Sequence, residues 1–350
     1  HLSKGRPTNP ISEHRLYPWP KSLATAWKNP LMSFRFFSLA LIFFLLGGTS
    51  CFLDSSDFHS TFPENTTRYW IGPEYWGNRL QDWRLNAGRI ECINGDLPLR
   101  TLHLLTHSLQ TGTGDLQMSL RTGVIAGDRS FPSQSWSGFL IGAGSQDLDY
   151  RARAIIHHGT GENGGLVAAF DGEGKIVFYD NENDLETIPT SRQGETYARA
   201  PRENIELRLS MYSQGDTYNI TLAAYNHETG GLLQEGSIHN VSAERLTGNI
   251  ALISQGGAAK STFWFDDWQV SGSKVEVTEK QRFGPVLSAL HTLNKQVLKM
   301  TVQLPPMAAT DPQSIRLELA ERGSKTWRTA GEEKLIVPGW TATFRIADWN

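Results

Sequence analysis

The sequence predicts an all-β protein made of two consecutive sandwiches. From about residue 69 to residue 277, short apolar runs alternate with glycine-containing turns, and residues 205–211 and 218–222 alternate apolar with polar side chains. This period of two is typical of strands with one buried face. No segment of this region keeps an apolar period of 3.6 residues, so we expect no helices there. The predicted strands are 89–93, 102–105, 115–123, 138–142, 153–157, 166–170, 176–179, 205–212, 218–225, 248–254 and 263–270.

The turns between these runs support the same architecture. Gly164-Gly165 and Gly230-Gly231 are examples of glycine pairs at the predicted strand ends. Glycine adopts the positive φ angles of tight hairpins without steric cost. Many short strands joined by such turns predict a jelly-roll sandwich of the concanavalin type over residues 68–277.

A second set of strands follows a charged segment at residues 276–282 that lacks a glycine turn. Residues 297–304, 315–319, 327–329 and 341–346 are the strand-like runs of this region, which we place at 281–350. Its length fits a small immunoglobulin-like sandwich. Because residue 350 directly follows an alternating run, we expect this domain to be truncated.

An export signal is predicted from Met32 to Cys51. Arg35 precedes eleven residues, 36–46, that are apolar except for Ser38, and small residues then lead to Cys51. The apolar stretch is shorter than the roughly 20 residues that cross a membrane, and the layout is that of a secretory signal. The ending resembles the lipobox of bacterial lipoproteins, although Gly48 stands where that motif usually has leucine.

This resemblance implies that Cys51 carries lipid and anchors an exported protein to the membrane of the cell envelope. A plain signal, which would leave the protein periplasmic or secreted, and an uncleaved membrane anchor remain the alternatives. We take Met32 as the start, so residues 1–31 are predicted to be an upstream, non-native extension without a fold. The polar residues 52–67 predict a flexible tether.

Charge and cysteine content exclude two classes of protein. The net charge is −3, from 33 basic and 36 acidic residues, which offers no basic face for nucleic acid. Two cysteines, Cys51 and Cys92, cannot form a disulfide framework. Cys92 follows Ile90 and Glu91 in a predicted strand and alternates with the glutamate, so we expect it to be a small apolar side chain in the core.

Neither a catalytic carboxylate pair nor a metal site is predicted in this chain. Asp266 and Asp267 are adjacent, so a strand directs them to opposite faces, whereas the aromatic residues around them are expected in the core. His157 and His158 diverge for the same reason. Asp57-Phe-His59 matches the Asp-x-His that opens many metallophosphatase sites, but it lies in the predicted tether without the companion motifs.

Two segments are candidate ligand sites. Trp136 lies in the polar segment 131–137, where its ring would contact a sugar, with core packing as the alternative. The acidic turn 180–184 has the loop oxygens that calcium prefers, with a simple solvated turn as the alternative.

Residues 76–91, 104–106 and 263–275, followed by 283–349, resemble the leading part of secreted bacterial proteins of the alkaline-phosphatase-D-like type. In those proteins a concanavalin-like or laminin-G-like domain and an immunoglobulin-like domain precede a metallophosphatase domain. The resemblance implies that this chain is the anchor, accessory sandwich and spacer of an exported phosphatase or phosphodiesterase. It also implies that the divalent metals and their ligands belong to a catalytic domain beyond residue 350.

A second resemblance leads to a different function. The pattern Trp83-Arg-Leu-Asn-Ala-Gly-Arg89 is similar to the sandwich of secreted keto-disaccharide hydrolases. The alternative hypothesis is therefore an autonomous carbohydrate-binding or glycoside-cleaving protein. A purely structural adhesion module is a third possibility.

Overall fold

A computed structural model describes residues 13–17, 57–96, 98–125, 134–156, 159–193, 203–321 and 324–349. The predicted signal with Cys51 and the pair His157-His158 lie outside the described residues. The chain divides into two compact units. Of the described residues, those within 57–287 and 304–311 form the sandwich unit, and those within 13–17, 288–303 and 312–349 form the small unit.

Almost all regular structure is β. In chain order the strands are β1 (Glu13–Tyr17), β2 (Phe58–His59), β3 (Tyr75–Gly77), β4 (Trp83–Asn86), β5 (Arg89–Cys92), β6 (Arg100–Leu109), β7 (Leu116–Val124), β8 (Trp136–Gly144), β9 (Leu166–Asp171), β10 (Ile176–Asp180), β11 (Glu186–Thr187), β12 (Ser191–Gln193), β13 (Ile205–Gln214), β14 (Thr217–Asn226), β15 (Leu232–Ser242), β16 (Gly248–Gln255), β17 (Phe263–Ser271), β18 (Val275–Val277), β19 (Ser288–Asn294), β20 (Val297–Gln303), β21 (Ser314–Ala320), β22 (Arg328–Lys334) and β23 (Thr341–Ile346). The α-helix α1 spans Tyr150–Ile156, and short 3₁₀ turns occupy Leu80–Asp82, Ala243–Leu246, Gly257–Ala259 and Glu279–Gln281. Among the described residues, no helix has the length and apolar character needed to span a membrane.

Two antiparallel sheets form the sandwich unit. The nine-stranded sheet has the order β12-β15-β14-β13-β7-β17-β5-β4, with β2 added on β17. The eight-stranded sheet has the order β11-β10-β9-β8-β16-β6-β18, with β3 added on β6. Strands distant in sequence, such as β16 and β6, are neighbours, as jelly-roll winding requires. The predicted all-β jelly-roll sandwich is therefore confirmed.

The core lies between these sheets because each strand turns alternate side chains inward. On β13 the inward residues are Leu207, Leu209 and Met211, all buried, while Glu206 and Arg208 point to the outer face. Cys92 is also buried in this core, which confirms its prediction as an apolar side chain. The residues Phe263, Phe265 and Val270 of β17 are likewise buried, as predicted.

The outer faces of the two sheets differ in character. The eight-stranded sheet has a second buried apolar cluster that contains Leu140, Val167 and Ile253 and lies apart from the main core. The outer face of the nine-stranded sheet is polar and has partly exposed charged side chains such as Arg121. Both candidate sites described below lie on these outer faces.

The strand predicted at residues 153–157 is wrong, because residues 153–156 belong to the helix α1. Asp149 begins the helix: its carboxylate accepts a hydrogen bond from Arg151 N at 3.0 Å, and its carbonyl accepts one from Arg153 N at 3.0 Å. Aspartate is a favoured residue at this capping position. Seven helical residues are too few for the 3.6-residue period to be recognised in the sequence.

The predicted tether is wrong for residues 57–67, which belong to the sandwich unit. Phe58 and His59 pair with Val270 and Gln269 of β17. The hydroxyl of Ser60 accepts a hydrogen bond from Trp268 N at 2.8 Å. The polar composition of this segment hid the strand β2, because only one of its two side chains, that of Phe58, packs against the core.

The described residues of the small unit form two three-stranded sheets, β19-β20-β23 and β1-β21-β22. Its buried apolar residues include Leu298, Met300, Val302, Ile315, Leu317 and Phe344. β1 pairs with β21, so the expectation that residues 1–31 carry no fold is wrong for Glu13–Tyr17. The first segment of the sandwich unit ends at Leu287 rather than near residue 277, and Leu304–Asp311 also belongs to the sandwich unit.

Candidate functional site

A pocket opens at one end of the outer face of the eight-stranded sheet. Trp136 begins β8 there, and its ring packs against the ring of Tyr179 on β10, with centroids 5.5 Å apart and planes inclined by 34°. The cavity has a volume of about 360 Å³. We call it the Trp136 pocket; its lining residues are Gly95, Asp96, Pro98, Gln134, Trp136, Tyr179, Leu185, Gln255 and Gly257.

The sequence suggested that Trp136 lies in a polar loop, but Trp136 is the first residue of the strand β8. It pairs with Asp171 of β9 and with Gln255 of β16, and only 3% of its surface is exposed. Tyr179 is half-buried and presents the more accessible aromatic surface. The sequence thus identified a residue of the pocket wall, whereas Tyr179, the better placed contact, was missed because it reads as an ordinary strand residue.

Amide and carboxylate groups surround this aromatic wall. The side-chain oxygen of Gln255 accepts a hydrogen bond from Leu99 N at 2.9 Å, which fixes the amide with its NH₂ group as the remaining donor. Asp96 pairs with Lys260 at 2.6 Å in an exposed ion pair. The rim therefore offers both donors and acceptors beside an apolar surface.

The Tyr179 hydroxyl is a neutral phenol, and its surroundings disfavour ionisation. Burial raises the pKa of Tyr179, and the carboxylate of Asp171 raises it further. Burial also raises the pKa of Asp171, although the backbone N–H groups of Lys175 and Glu173 donate to its carboxylate and oppose this effect. At neutral pH the phenol can both donate and accept a hydrogen bond.

The acidic turn at residues 180–184 is held by arginine rather than left open. Asp180 Oδ1 lies 2.6 Å from Arg245 Nη2, and Glu182 Oε2 lies 3.6 Å from Arg245 Nε. Burial acts to raise the pKa of Asp180, but hydrogen bonds from Asn183 and Glu182 N and the Arg245 charge lower it overall. Within the part of the chain that the structure describes, no group of three or more His, Cys, Asp or Glu side chains could hold a metal ion.

The residues weighed as catalytic candidates have separate partners. Asp267 lies at a β-bulge with φ of 52° and contacts His59, whereas Asp266 contacts Arg121 at 3.4 Å. The two carboxylates therefore do not converge on one substrate position. The Asp57-x-His59 motif places only His59 near a carboxylate, that of Asp267.

A second depression lies on the outer face of the nine-stranded sheet. It has a volume of about 510 Å³ and centres on Trp264, with Arg89 and Arg121 on its ring. We call it the Trp264 cleft; its lining residues are Ala87, Arg89, Arg121, Val124, Glu203, Asn204, Glu228, Trp264 and Asp266. The sequence did not indicate it, because its residues come from five separate segments.

No protein-family model and no curated protein matches the chain. Solved structures with some likeness include lectin II from Ulex europaeus, at 12% identity and a TM-score of 0.40, covering 63% of this chain and 99% of that one. Lectin I-B4 from Griffonia simplicifolia has 13% identity and a TM-score of 0.40, with 59% and 98% covered. Arcelin-5, a lectin-like defense protein from Phaseolus vulgaris, has 9% identity and a TM-score of 0.40, with 63% and 100% covered.

Proposed function

We propose that the sandwich unit is a carbohydrate-binding module and that the Trp136 pocket is its sugar site. The observation that carries this proposal is the pairing of an aromatic wall, Trp136 and Tyr179, with a rim of amide and carboxylate groups. A pyranose ring has an apolar face that packs on aromatic carbon and an edge of hydroxyl groups that both donate and accept hydrogen bonds.

The size of the pocket limits the ligand. Its volume of about 360 Å³ lies near the lower end of the roughly 300–1,000 Å³ that small-molecule sites occupy. We therefore expect one or two sugar rings to be enclosed, with any longer chain running out over the rim. Because Lys260 neutralises Asp96, the rim has no uncompensated charge from this pair, which favours neutral sugars.

Titration calorimetry with a panel of neutral oligosaccharides tests the proposal. Tyr179→Ala removes the accessible aromatic surface, so binding should weaken at least about tenfold, or about 1.4 kcal/mol. Tyr212→Ala is the matched control, since Tyr212 is 51% exposed on the strand β13 of the other sheet. Equal affinity of Tyr179→Ala and the parent protein would exclude the pocket as the sugar site.

We further propose that this module serves as the accessory sandwich of an exported, alkaline-phosphatase-D-like phosphoesterase, lipid-anchored through Cys51. The resemblance of residues 76–91 and 263–275 supports this role, and these segments contribute neighbouring strands, β17, β5 and β4, to one sheet. The small unit would be the spacer before the catalytic domain. An autonomous carbohydrate-binding or glycoside-cleaving protein is the alternative.

The reading frame after residue 350 separates these hypotheses. Metal-ligand motifs of Asp, His and Asn within about 250 residues, a common upper size for a domain, would support the phosphoesterase. A stop codon without such motifs would exclude it and favour the autonomous protein. Mass spectrometry of the exported protein would show whether Cys51 is its first, lipid-modified residue; an unmodified N-terminus elsewhere would exclude the anchor.

A further inference from the structure

We propose that the Trp264 cleft is a second carbohydrate site, which makes the sandwich unit bivalent. This inference deepens the proposed function, on which it rests for the class of ligand, but it concerns different residues on the other sheet. The Trp136 pocket is built on the eight-stranded sheet, and the Trp264 cleft is built on β5, β7 and β17 of the nine-stranded sheet.

Trp264 forms the floor of the cleft and holds two arginines above it. The guanidinium carbons of Arg89 and Arg121 lie 5.1 Å and 5.9 Å from the ring centroid. The residue Trp264 is 7% exposed, whereas the arginine side chains are 31% and 29% exposed. Cation–π contacts therefore fix the two guanidinium groups in place while leaving them accessible to a ligand.

A glycine allows this arrangement. Gly123 pairs with Trp264 across β7 and β17, and a Cβ atom at this position would lie 2.8 Å from the indole Nε1 and 3.0 Å from Asn204 N. A side chain here would force the indole away from the sheet. The absence of a side chain thus lets the Trp264 ring extend over β7 towards Arg121.

Hydrogen bonds orient the two arginines further. Arg89 donates through Nε and Nη2 to Glu91 Oε1 at 3.0 Å and 2.8 Å. Arg121 donates through Nε and Nη2 to Asn204 Oδ1 at 3.3 Å and 2.9 Å. In each arginine these bonds leave Nη1 to face a ligand. Nη1 of Arg121 also makes a long contact of 3.4 Å with Asp266 Oδ2. Such pre-orientation lowers the entropy cost of binding.

The charges of the cleft favour a polyhydroxyl ligand. Two arginines face three carboxylates, those of Glu203, Glu228 and Asp266. An anion would meet the carboxylates and a cation would meet the arginines, so neither is favoured. A hydroxyl group can donate to a carboxylate and accept from a guanidinium, and hydrogen bonds to charged groups are stronger than those between neutral groups. Neutral sugar chains have this chemistry at every residue.

The same sheet offers a matched control. Arg208 lies over the ring of Tyr225 at 4.5 Å and pairs with Glu206 at 2.6 Å, so it is also an arginine stacked on an aromatic residue. It does not line the cleft. Arg208→Gln therefore removes the same charge and the same type of contact from this face without touching the site.

Calorimetry of the full chain with neutral hexasaccharides of glucose, mannose and xylose, at up to about 1 mM, tests the inference. We expect two sites per chain, one of which Arg121→Gln weakens at least tenfold and the other of which Tyr179→Ala weakens. The double variant should be weakened at both sites, and Arg208→Gln should bind as the parent does. Unfolding midpoints identify a variant that fails to fold, in which case Asn204→Ala replaces Arg121→Gln.

The contrary outcomes are distinct. A single site that Tyr179→Ala removes and Arg121→Gln leaves intact would overturn the second site while the proposed function stands. A single site that only Arg121→Gln removes would support the cleft and overturn the Trp136 pocket. No binding by the parent protein would overturn both. Tighter binding of hexagalacturonate than of the neutral chains, or an equal loss in Arg208→Gln, would also overturn the proposed recognition through hydroxyl groups.

Discussion

Asp82 and Arg100 form a buried ion pair, with 2.6 Å between Asp82 Oδ2 and Arg100 Nε and less than a tenth of either side chain exposed. The Nε–H of Arg100 is not aligned on the oxygen, so the contact is a charge pair rather than a linear hydrogen bond. The pair holds both ends of the loop that lines the Trp136 pocket. Asp82 accepts from Asn94 Nδ2 at 3.0 Å, and Arg100 Nη1 donates to the carbonyl of Pro98 at 3.0 Å.

Arg100→Met should destabilise the sandwich unit and weaken sugar binding. It leaves the Asp82 carboxylate buried without its partner, which costs about 3–5 kcal/mol in comparable cases. Urea unfolding measures this loss. Arg151→Met, which breaks the exposed pair of Arg151 with Asp149, should leave the free energy of unfolding unchanged within error. Equal effects of the two substitutions would contradict a structural role for the buried pair.

Cys92 should not react with thiol reagents in the folded protein. Its side chain is fully buried, and burial raises the pKa of the thiol to about 11, so almost no thiolate exists at pH 8. We expect labelling by an aromatic disulfide reagent only after unfolding in urea, with Cys92→Ser as the control that identifies the labelled site. Rapid labelling of Cys92 in the native protein would show that β5 opens readily.

His107 should make the sandwich unit less stable at acidic pH. Its ring lies 5.1 Å from the ring of Phe58, and burial lowers its pKa from 6.5; Glu279 opposes and Arg282 adds to this shift. Because the unfolded chain then binds protons more tightly than the folded one, the stability present above pH 6.5 is lost as the pH falls towards the folded pKa.

The measurement for His107 is the thermal midpoint between neutral and mildly acidic pH. The chain has ten histidines. The change of the thermal midpoint with pH in His107→Gln must therefore be subtracted from the change in the parent protein. We expect the parent to lose more stability on acidification than the variant. Parallel curves would mean that His107 is not protonated differently in the two states.

Calcium should not stabilise the turn at residues 180–184. The Asp180 carboxylate already pairs with Arg245, and Asp184 Oδ1 accepts a hydrogen bond from Thr160 Oγ1 at 2.8 Å. A calcium ion would have to displace the guanidinium and would meet its positive charge. The unfolding midpoint should therefore be the same in chelator and in millimolar calcium. A rise with calcium, lost in Asp180→Asn, would establish the site.

Local patterns in the sequence were sufficient for the central strands β13 and β14 of the sandwich unit, but the long strand β15 was not predicted. The alternation in β13 and β14 predicted which side chains are inward, and Cys92 and Phe265 were correctly expected in the core. Segments whose structure depends on distant partners were not predicted. Phe58 and His59 form a strand only because β17 provides the hydrogen bonds, and α1 is too short for its period to be seen.

The fold class could be predicted from the sequence alone, because apolar period and turn chemistry act over neighbouring residues. The sites depended on the tertiary structure. Trp136 packs against Tyr179 across β9, which lies between β8 and β10, and Arg89 and Arg121 both contact the Trp264 ring only because β17 lies between β5 and β7. Strand order brings together residues that are far apart in the chain, and hydrophobic patterning within one segment carries no information about that order.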